Sequence, residues 1–180
     1  MERDIKKVLL TQEQIQNRVA ELGRELMADY ADKDPVFVGV LKGVVVFYAD
    51  VIRSFDAPCE LDFMWISSYA GTQSTGNMLV RKDVTVDLTG RHVVILEDIL
   101  DTGRSLKFTC DHLYSKGAAS VRICTLLDKP EGRVPGFEID ADYVGFCIPN
   151  EFVVGYGLDY NEKYRNLPYV GILKPEVYEH

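Results

Sequence analysis

Residues 93–106, VVILEDILDTGRSL, constrain this chain more than any other segment. Val93, Val94, Ile95 and Leu96 form a short apolar run of the kind found in strands buried on both faces, as in a parallel sheet. The run passes directly into Glu97, Asp98 and Asp101. A turn, Thr102-Gly103, and a helix-like stretch, Ser105-Leu106-Lys107-Phe108, follow. In open α/β sheets ligands sit outside the carboxyl ends of the strands, so the acidic cluster is expected at a ligand. Asp, Thr, Gly and Ser at a helix start offer backbone N–H groups and hydroxyls to an anion. Together they call for a substrate carrying a phosphate and groups that carboxylates hold, such as sugar hydroxyls or a divalent metal. A plain N-cap with solvated acids behind it would leave this crowding of like charge uncompensated.

The surrounding pattern fits a mostly parallel sheet with helices on both faces. Thr11 to Gln14 reads as a capping box, and Ile15, Val19, Leu22 and Leu26 continue it at helical spacing toward Tyr30. Residues 36–41 read as a buried strand, 44–55 as a helix, 60–67 as a strand, and 84–86 as part of another. The helix after the acidic turn is expected to end near Lys116-Gly117, where glycine suits the C′ position, and 121–127 is the next strand. Beyond Lys129-Pro130 no strong helix pattern appears; 143–148, 153–154 and 169–173 suggest short strands. With the N-terminal helix these are expected to form a small hood over the sheet's carboxyl edge. The chain is thus predicted to be a single domain over 1–180, with a core of about 35–130 and a hood from about 1–34 and 131–180.

The net charge of −8, from 20 basic and 28 acidic residues, argues against a nucleic-acid or anionic-membrane partner. Cys59, Cys110, Cys124 and Cys147 lack metal-ligand spacing, and Cys124 and Cys147, inside apolar runs, are expected to be buried free thiols. The longest nearly apolar run, 36–51, is broken by Lys42 and Asp50 and is too short to span a bilayer. With no apolar leader in MERDIKKVLL, a reduced, cytoplasmic enzyme is expected.

Several further groups fall at strand ends. Lys42-Gly43 follows the first predicted strand and precedes a helix, where glycine lets backbone approach an anion closely. Lys129 follows strand 121–127 and can hydrogen-bond an exocyclic oxygen on a base. In FVVGYGLD, Phe152 can stack on a planar base while adjacent backbone C=O and N–H groups read its edge. Asp159 suits a magnesium ion and Arg165 bidentate phosphate binding. Residues 67–76, SSYAGTQSTG, are nearly free of apolar groups and read as a mobile lid or a plain surface loop.

The segment around LEDILDTG resembles the 5-phosphoribosyl 1-pyrophosphate motif of type I phosphoribosyltransferases. The LKG loop, SSY…QSTG, Leu127-Asp128-Lys129 and FVVGYGLDYNEKYR occur in the order found in the hypoxanthine-guanine members. That resemblance spans roughly residues 8–178, and its closing LKPEVY looks like the short bacterial-type enzymes. Ala70, where many members have glycine, and Arg104, at a variable position, are mild departures.

The resemblance implies purine salvage: magnesium-dependent transfer of 5-phosphoribosyl from its pyrophosphate donor to N9 of a 6-oxopurine. It implies that Glu97 and Asp98 hold the ribose hydroxyls and order the metal, with Asp159 assisting a second Mg²⁺. Asp101 would be the general base toward purine N7. Amides from Asp101 through Thr102, Gly103 and Arg104 to Ser105, with the Thr102 and Ser105 hydroxyls, would cradle the 5′-phosphate. Lys129 would bind purine O6, Phe152 would stack on the ring and Val153 would read its edge. Arg165 and the Lys42-Gly43 loop, which in the family has a cis peptide, would hold pyrophosphate, and Ser68 and Tyr69 would close the lid. The family also implies a homodimer or homotetramer. A nucleotide sensor without catalysis, the alternative from another class, predicts loss of base or metal groups, yet Asp101, Lys129, Asp159 and Arg165 are all present.

Overall fold

The computed structural model describes residues 1–68 and 78–179. Its centre is a six-stranded sheet in the order β4-β3-β2-β5-β6-β7. The strands are β2 (Val36–Val40), β3 (Glu60–Ser68), β4 (Met78–Lys82), β5 (His92–Leu100), β6 (Ser120–Asp128) and β7 (Tyr143–Cys147). β3, β2, β5, β6 and β7 run parallel and only β4 is antiparallel. β5 therefore lies inside the sheet, between β2 and β6. Its alternation serves both layers. Val94 and Leu96 pack with α1 (Gln12–Tyr30) and α2 (Val45–Arg53), and Val93 and Ile95 pack toward α3 (Arg104–Ser115).

Helix α1 starts at the expected capping box: Thr11 Oγ1 accepts from the Gln14 amide at 3.2 Å, and Gln14 Oε1 accepts from the Thr11 amide at 2.9 Å. Its Ile15, Val19, Leu22 and Leu26 stripe is buried against the sheet beside α2, so α1 is a layer of the core rather than of the hood. The hood is a separate antiparallel sheet, β1 (Ile5–Leu10), β9 (Val170–Leu173) and β8 (Val153–Val154). β1, IKKVLL, alternates too poorly to be read as a strand in isolation, and pairing with β9 supplies the order. A single C-terminal turn, α4 (Pro175–Tyr178), closes the chain.

Three placements depart from the sequence pattern. β7 joins the main sheet as its outer strand, so the core extends past residue 130. Cys124 is buried, but Cys147 is exposed because it ends that edge strand. Residues 84–86 form no strand: their amides are taken by carboxylates instead of a ladder, that of Val84 by Asp83 at 2.7 Å and the other two by Asp62. Asp62 accepts from the amides of Thr85 at 2.6 Å, Val86 at 3.0 Å and Phe63 at 2.7 Å, and from Lys82 Nζ at 3.1 Å. Among the described residues no helix is long and apolar enough to cross a membrane.

Burial opposes the charge on Asp62, but the Val86, Thr85 and Phe63 amides and Lys82 outweigh it and lower its pKa to about 2. A depressed carboxyl pKa gives stability that is complete above the ordinary value of 3.8 and is lost as pH falls through about 2. We expect Asp62→Asn to lower unfolding free energy by roughly 2 kcal/mol at neutral pH. In urea titrations its deficit against wild type should shrink as pH falls from 3.8 toward 2. A pH-independent deficit would contradict this.

Candidate active site

The carboxyl ends of β2 and β5 and the loop after β8 enclose a cleft of about 350 Å³. β2 contributes Lys42 and Gly43 just past its end, and the Leu41-Lys42 peptide bond is cis. β5 contributes Glu97 and Asp98, and the turn after it Asp101, Thr102, Gly103 and Ser105. Asp159 and Arg165 close the cleft from the hood side. The strand does not stop at Leu96: it continues through the acids to Leu100, which holds Glu97 and Asp98 at fixed positions inside the sheet.

Both of these acids are over nine-tenths buried. Glu97 Oε1 accepts the Asp98 amide at 3.3 Å, and Asp98 Oδ1 accepts the Ile99 amide at 2.9 Å. Burial, and then the charge of Asp98 beside it, push the Glu97 pKa well above the usual carboxyl range. Burial also raises that of Asp98, against its hydrogen bonds and the pull of Arg165. Two buried acids in this state are suited to a cation or to hydroxyl donors.

Cations stand opposite. Arg165 Nη1 donates to the Gly157 carbonyl at 2.8 Å, and its Nη2 lies 3.0 Å from Asp159 Oδ1 and 3.2 Å from Glu162 Oε1. The buried Arg165 Nε has no hydrogen-bond partner among the described residues. Lys42 Nζ reaches the other Glu162 oxygen at 3.0 Å. Two glycines make the convergence possible. A Cβ on Gly43 would lie 1.9 Å from Asp98 Oδ2, and one on Gly157 would lie 2.0 Å from the Gly43 carbonyl oxygen.

Gly103, at φ 85°, is the N-cap of α3, and no side chain caps that helix. The Thr102 hydroxyl accepts a long bond from the Arg104 amide at 3.4 Å, and the rest of the first turn offers its amides to an anion beside Ser105. Arg104 stacks its guanidinium on the Phe137 ring at 5.0 Å, so only its backbone belongs to this turn. Lys129 is buried beside the cleft, with Nζ 3.4 Å from Asp101 Oδ2. Phe152 and Val153 lie on the hood. Phe152 is half-exposed, with one face stacked on Tyr178 at 4.8 Å and Tyr160 against its edge. Val153 is buried and paired with Ile172 in β9. Ser68 ends β3, and Tyr69 lies outside the described residues.

Among the described residues no three His, Cys, Asp or Glu side chains converge as a metal cage. Mg²⁺ commonly takes one or two carboxylates and completes its shell with water and substrate oxygens, and the Glu97-Asp98 pair fits that donor set. Asp159 is engaged with Arg165 and with the Glu162 amide at 2.9 Å, so it stands apart from the pair.

Sequence reasoning missed Arg133, Gly132 and Gly157. Arg133 Nη1 donates to the carbonyls of Leu100 at 3.0 Å, Asp101 at 3.0 Å and Lys129 at 3.1 Å, and Nη2 reaches Asp128 Oδ1 at 2.6 Å. A Cβ on Gly132 would lie 1.9 Å from Asp101 Oδ1. An arginine and a glycine in a Pro- and Gly-containing loop carry no periodic signal that could have marked them.

Carboxylates at the end of an inner parallel strand, amides at the helix start after them and two cations in one cleft suit a ligand that carries both phosphate and sugar hydroxyls. The model of the phosphoribosyl transferase domain matches residues 7–161, and the chain belongs to that family. It is 55% identical over 179 residues to a hypoxanthine-guanine phosphoribosyltransferase of Streptococcus pneumoniae, covering 99% of this chain and 98% of that one. A hypoxanthine phosphoribosyltransferase structure from Staphylococcus aureus superposes with a TM-score of 0.94 at 51% identity, covering 100% of this chain and 97% of that one. A Bacillus anthracis hypoxanthine-guanine phosphoribosyltransferase structure gives 0.88 at 43% identity over 94% and 99%.

Gly157 has φ 101° as well as its contact with Gly43, so Gly157→Ala adds a strained backbone to a backbone clash. We expect it to destabilise the protein by about 1–3 kcal/mol in urea unfolding. Wild-type stability in that variant would refute the close approach of the two loops.

Proposed function

We propose that this chain catalyses Mg²⁺-dependent transfer of 5-phosphoribosyl from 5-phosphoribosyl 1-pyrophosphate to N9 of hypoxanthine or guanine, yielding IMP or GMP and pyrophosphate. One observation carries the reading: the buried Glu97-Asp98 pair and the cations Lys42 and Arg165 line a single cleft, with the start of α3 beside them. Positive charge developing at the ribose meets carboxylates, and the departing anion meets cations.

In this mechanism Glu97 and Asp98 hold the ribose hydroxyls beneath the reacting carbon. The amides and hydroxyls of residues 101–105 hold the 5′-phosphate. Lys42, the Gly43 backbone and Arg165 hold the pyrophosphate. The bond from C1′ to the pyrophosphate oxygen breaks as N9 bonds to C1′, and Asp101 takes the proton from purine N7. When bound, Mg²⁺ neutralises pyrophosphate charge; Glu97, Asp98 and, separately, Asp159 would hold it. Lys129 donates to purine O6. The 6-amino group of adenine offers no such acceptor, which is a physical basis for rejecting it. Phe152 offers the purine the face that Tyr178 leaves open, and the Val153 backbone reads the ring's edge.

The reading takes the chain as one cytoplasmic domain, and the four free cysteines support a reducing setting. It includes a homodimer or homotetramer. Leu61 and Trp65, exposed on one face of β3, with exposed Leu79 on the neighbouring β4, support association.

Pyrophosphate release with donor and Mg²⁺ tests this reading. We expect release with hypoxanthine or guanine and none with adenine. Asp101→Ala should lower kcat by about 10²–10⁴ while donor binding persists. Near-normal turnover in that variant would remove Asp101 from the base role.

A further inference from the structure

The catalytic and base-reading groups in the proposed reaction sit just beyond a register that ends at Leu100 and Asp128, the last paired residues of β5 and β6. Asp101 and Lys129 are the next residue on each strand, and the last backbone bond between the strands, from the Lys129 amide to the Leu100 carbonyl, leaves the Asp101 backbone itself outside the ladder. Arg133 ties it in. Its Nη1 binds the carbonyls of Leu100, Asp101 and Lys129, its Nη2 binds Asp128, and its Nε donates to Ile139 at 3.0 Å. Five bonds use all three nitrogens of a guanidinium that is largely buried, as is the Asp128 carboxylate.

The neighbouring backbone tightens the same junction. The Lys129 amide donates to Leu100 at 2.9 Å, the Gly132 amide to Lys129 at 2.9 Å, and the Val134 amide to Thr102 at 3.2 Å. Gly132 lets Asp101 Oδ1 lie where a Cβ would be. Loop 129–134 is therefore wrapped on the turn that carries Asp101, with Arg133 at its centre.

We propose that Arg133 is a positioning residue: it sets Asp101 and Lys129 in register, so that the proton acceptor at N7 and the donor to O6 address the same purine. This rests on the reading of Asp101 and Lys129 given above. A planar fork of donors at fixed angles suits several carbonyls at once, whereas a lysine ammonium supplies one compact charge that cannot span them. Arg133 touches no substrate. Its effect falls mainly on the purine half of the reaction: of the groups that hold the donor it bonds only the Asp101 carbonyl, and not Lys42, Arg165 or residues 102–105.

The test compares wild type, Arg133→Lys and Arg133→Ala. It measures kcat and KM for hypoxanthine, the dissociation constant of the phosphoribosyl donor, and thermal melting. Small displacements of reacting groups cost up to about 10²-fold in rate, so we expect Arg133→Lys to lose roughly 10–100-fold in kcat/KM for hypoxanthine. Its donor affinity should stay within about threefold of wild type, since that binding rests on other groups. Millimolar guanidinium should restore purine turnover in Arg133→Ala and leave wild type unchanged.

Donor affinity and purine kcat/KM falling in parallel would overturn the proposal as a general loosening of the fold. Guanidinium that raises the melting temperature of Arg133→Ala without restoring turnover would do the same. If Arg133→Ala does not fold, Arg133→Lys decides: wild-type kinetics there refute the role, and a selective loss on the purine side supports it. A wild-type protein that turns over no 6-oxopurine overturns the reading of the site as well, so the two failures are separable.

Discussion

Everything near the cleft is arranged around two carboxylates that are largely shielded from bulk water. Glu97 and Asp98 are held inside an inner parallel strand, where their charge is opposed by burial and by each other. Such a pair destabilises a fold unless something on the far side compensates. Here compensation comes partly from Arg165, whose field favours the charged form of Asp98, and partly from the ligand the cleft is shaped to take. The apolar length of β5 anchors the strand firmly enough to hold its acidic end against that repulsion. Val93 to Leu96 are packed on both faces of the sheet.

The hood matters because the compensating arginine belongs to it. Arg165 is reached through Gly157, whose backbone lies against Gly43, and Tyr156 of the same loop donates to Asp50 on α2. The two sheets are thus clasped at the point where acids and cations meet, by backbone proximity that any side chain at positions 43 or 157 would obstruct. The cleft is a product of that clasp rather than of either sheet alone.

What was legible in the sequence follows from what short-range pattern encodes. β5, its acidic end and the turn into α3 are contiguous, so the strand-turn-helix unit carrying Glu97, Asp98, Asp101 and Ser105 is visible in one line of text. The capping box of α1 is legible for the same reason. The partner of a helix is not: α1 shows an apolar stripe, but nothing in the stripe says whether it covers the main sheet or the hood. β1 was invisible because its order comes from β9, more than 150 residues later. Residues 84–86 look like a strand, but the Thr85 and Val86 amides are instead satisfied by a distant carboxylate, Asp62. The orientation of Arg104 toward Phe137 and the reach of Arg133 to three carbonyls are tertiary facts of the same sort.

Glu162 has a consequence of its own. Its carboxylate lies between Lys42 and Arg165, and the residue holds a left-handed backbone, φ 60°, in doing so. The two cations therefore already have an anion of the protein's own. An arriving polyanion does not fill a bare positive well; it exchanges with a tethered counterion, as on an ion-exchange resin. Exchange involves a smaller net change of charge than simple capture, so binding at this end of the cleft should depend less steeply on ionic strength than the number of its cations implies. It also gives the departing anion a replacement held in the same loop, so the cations need not be left uncovered at either stage.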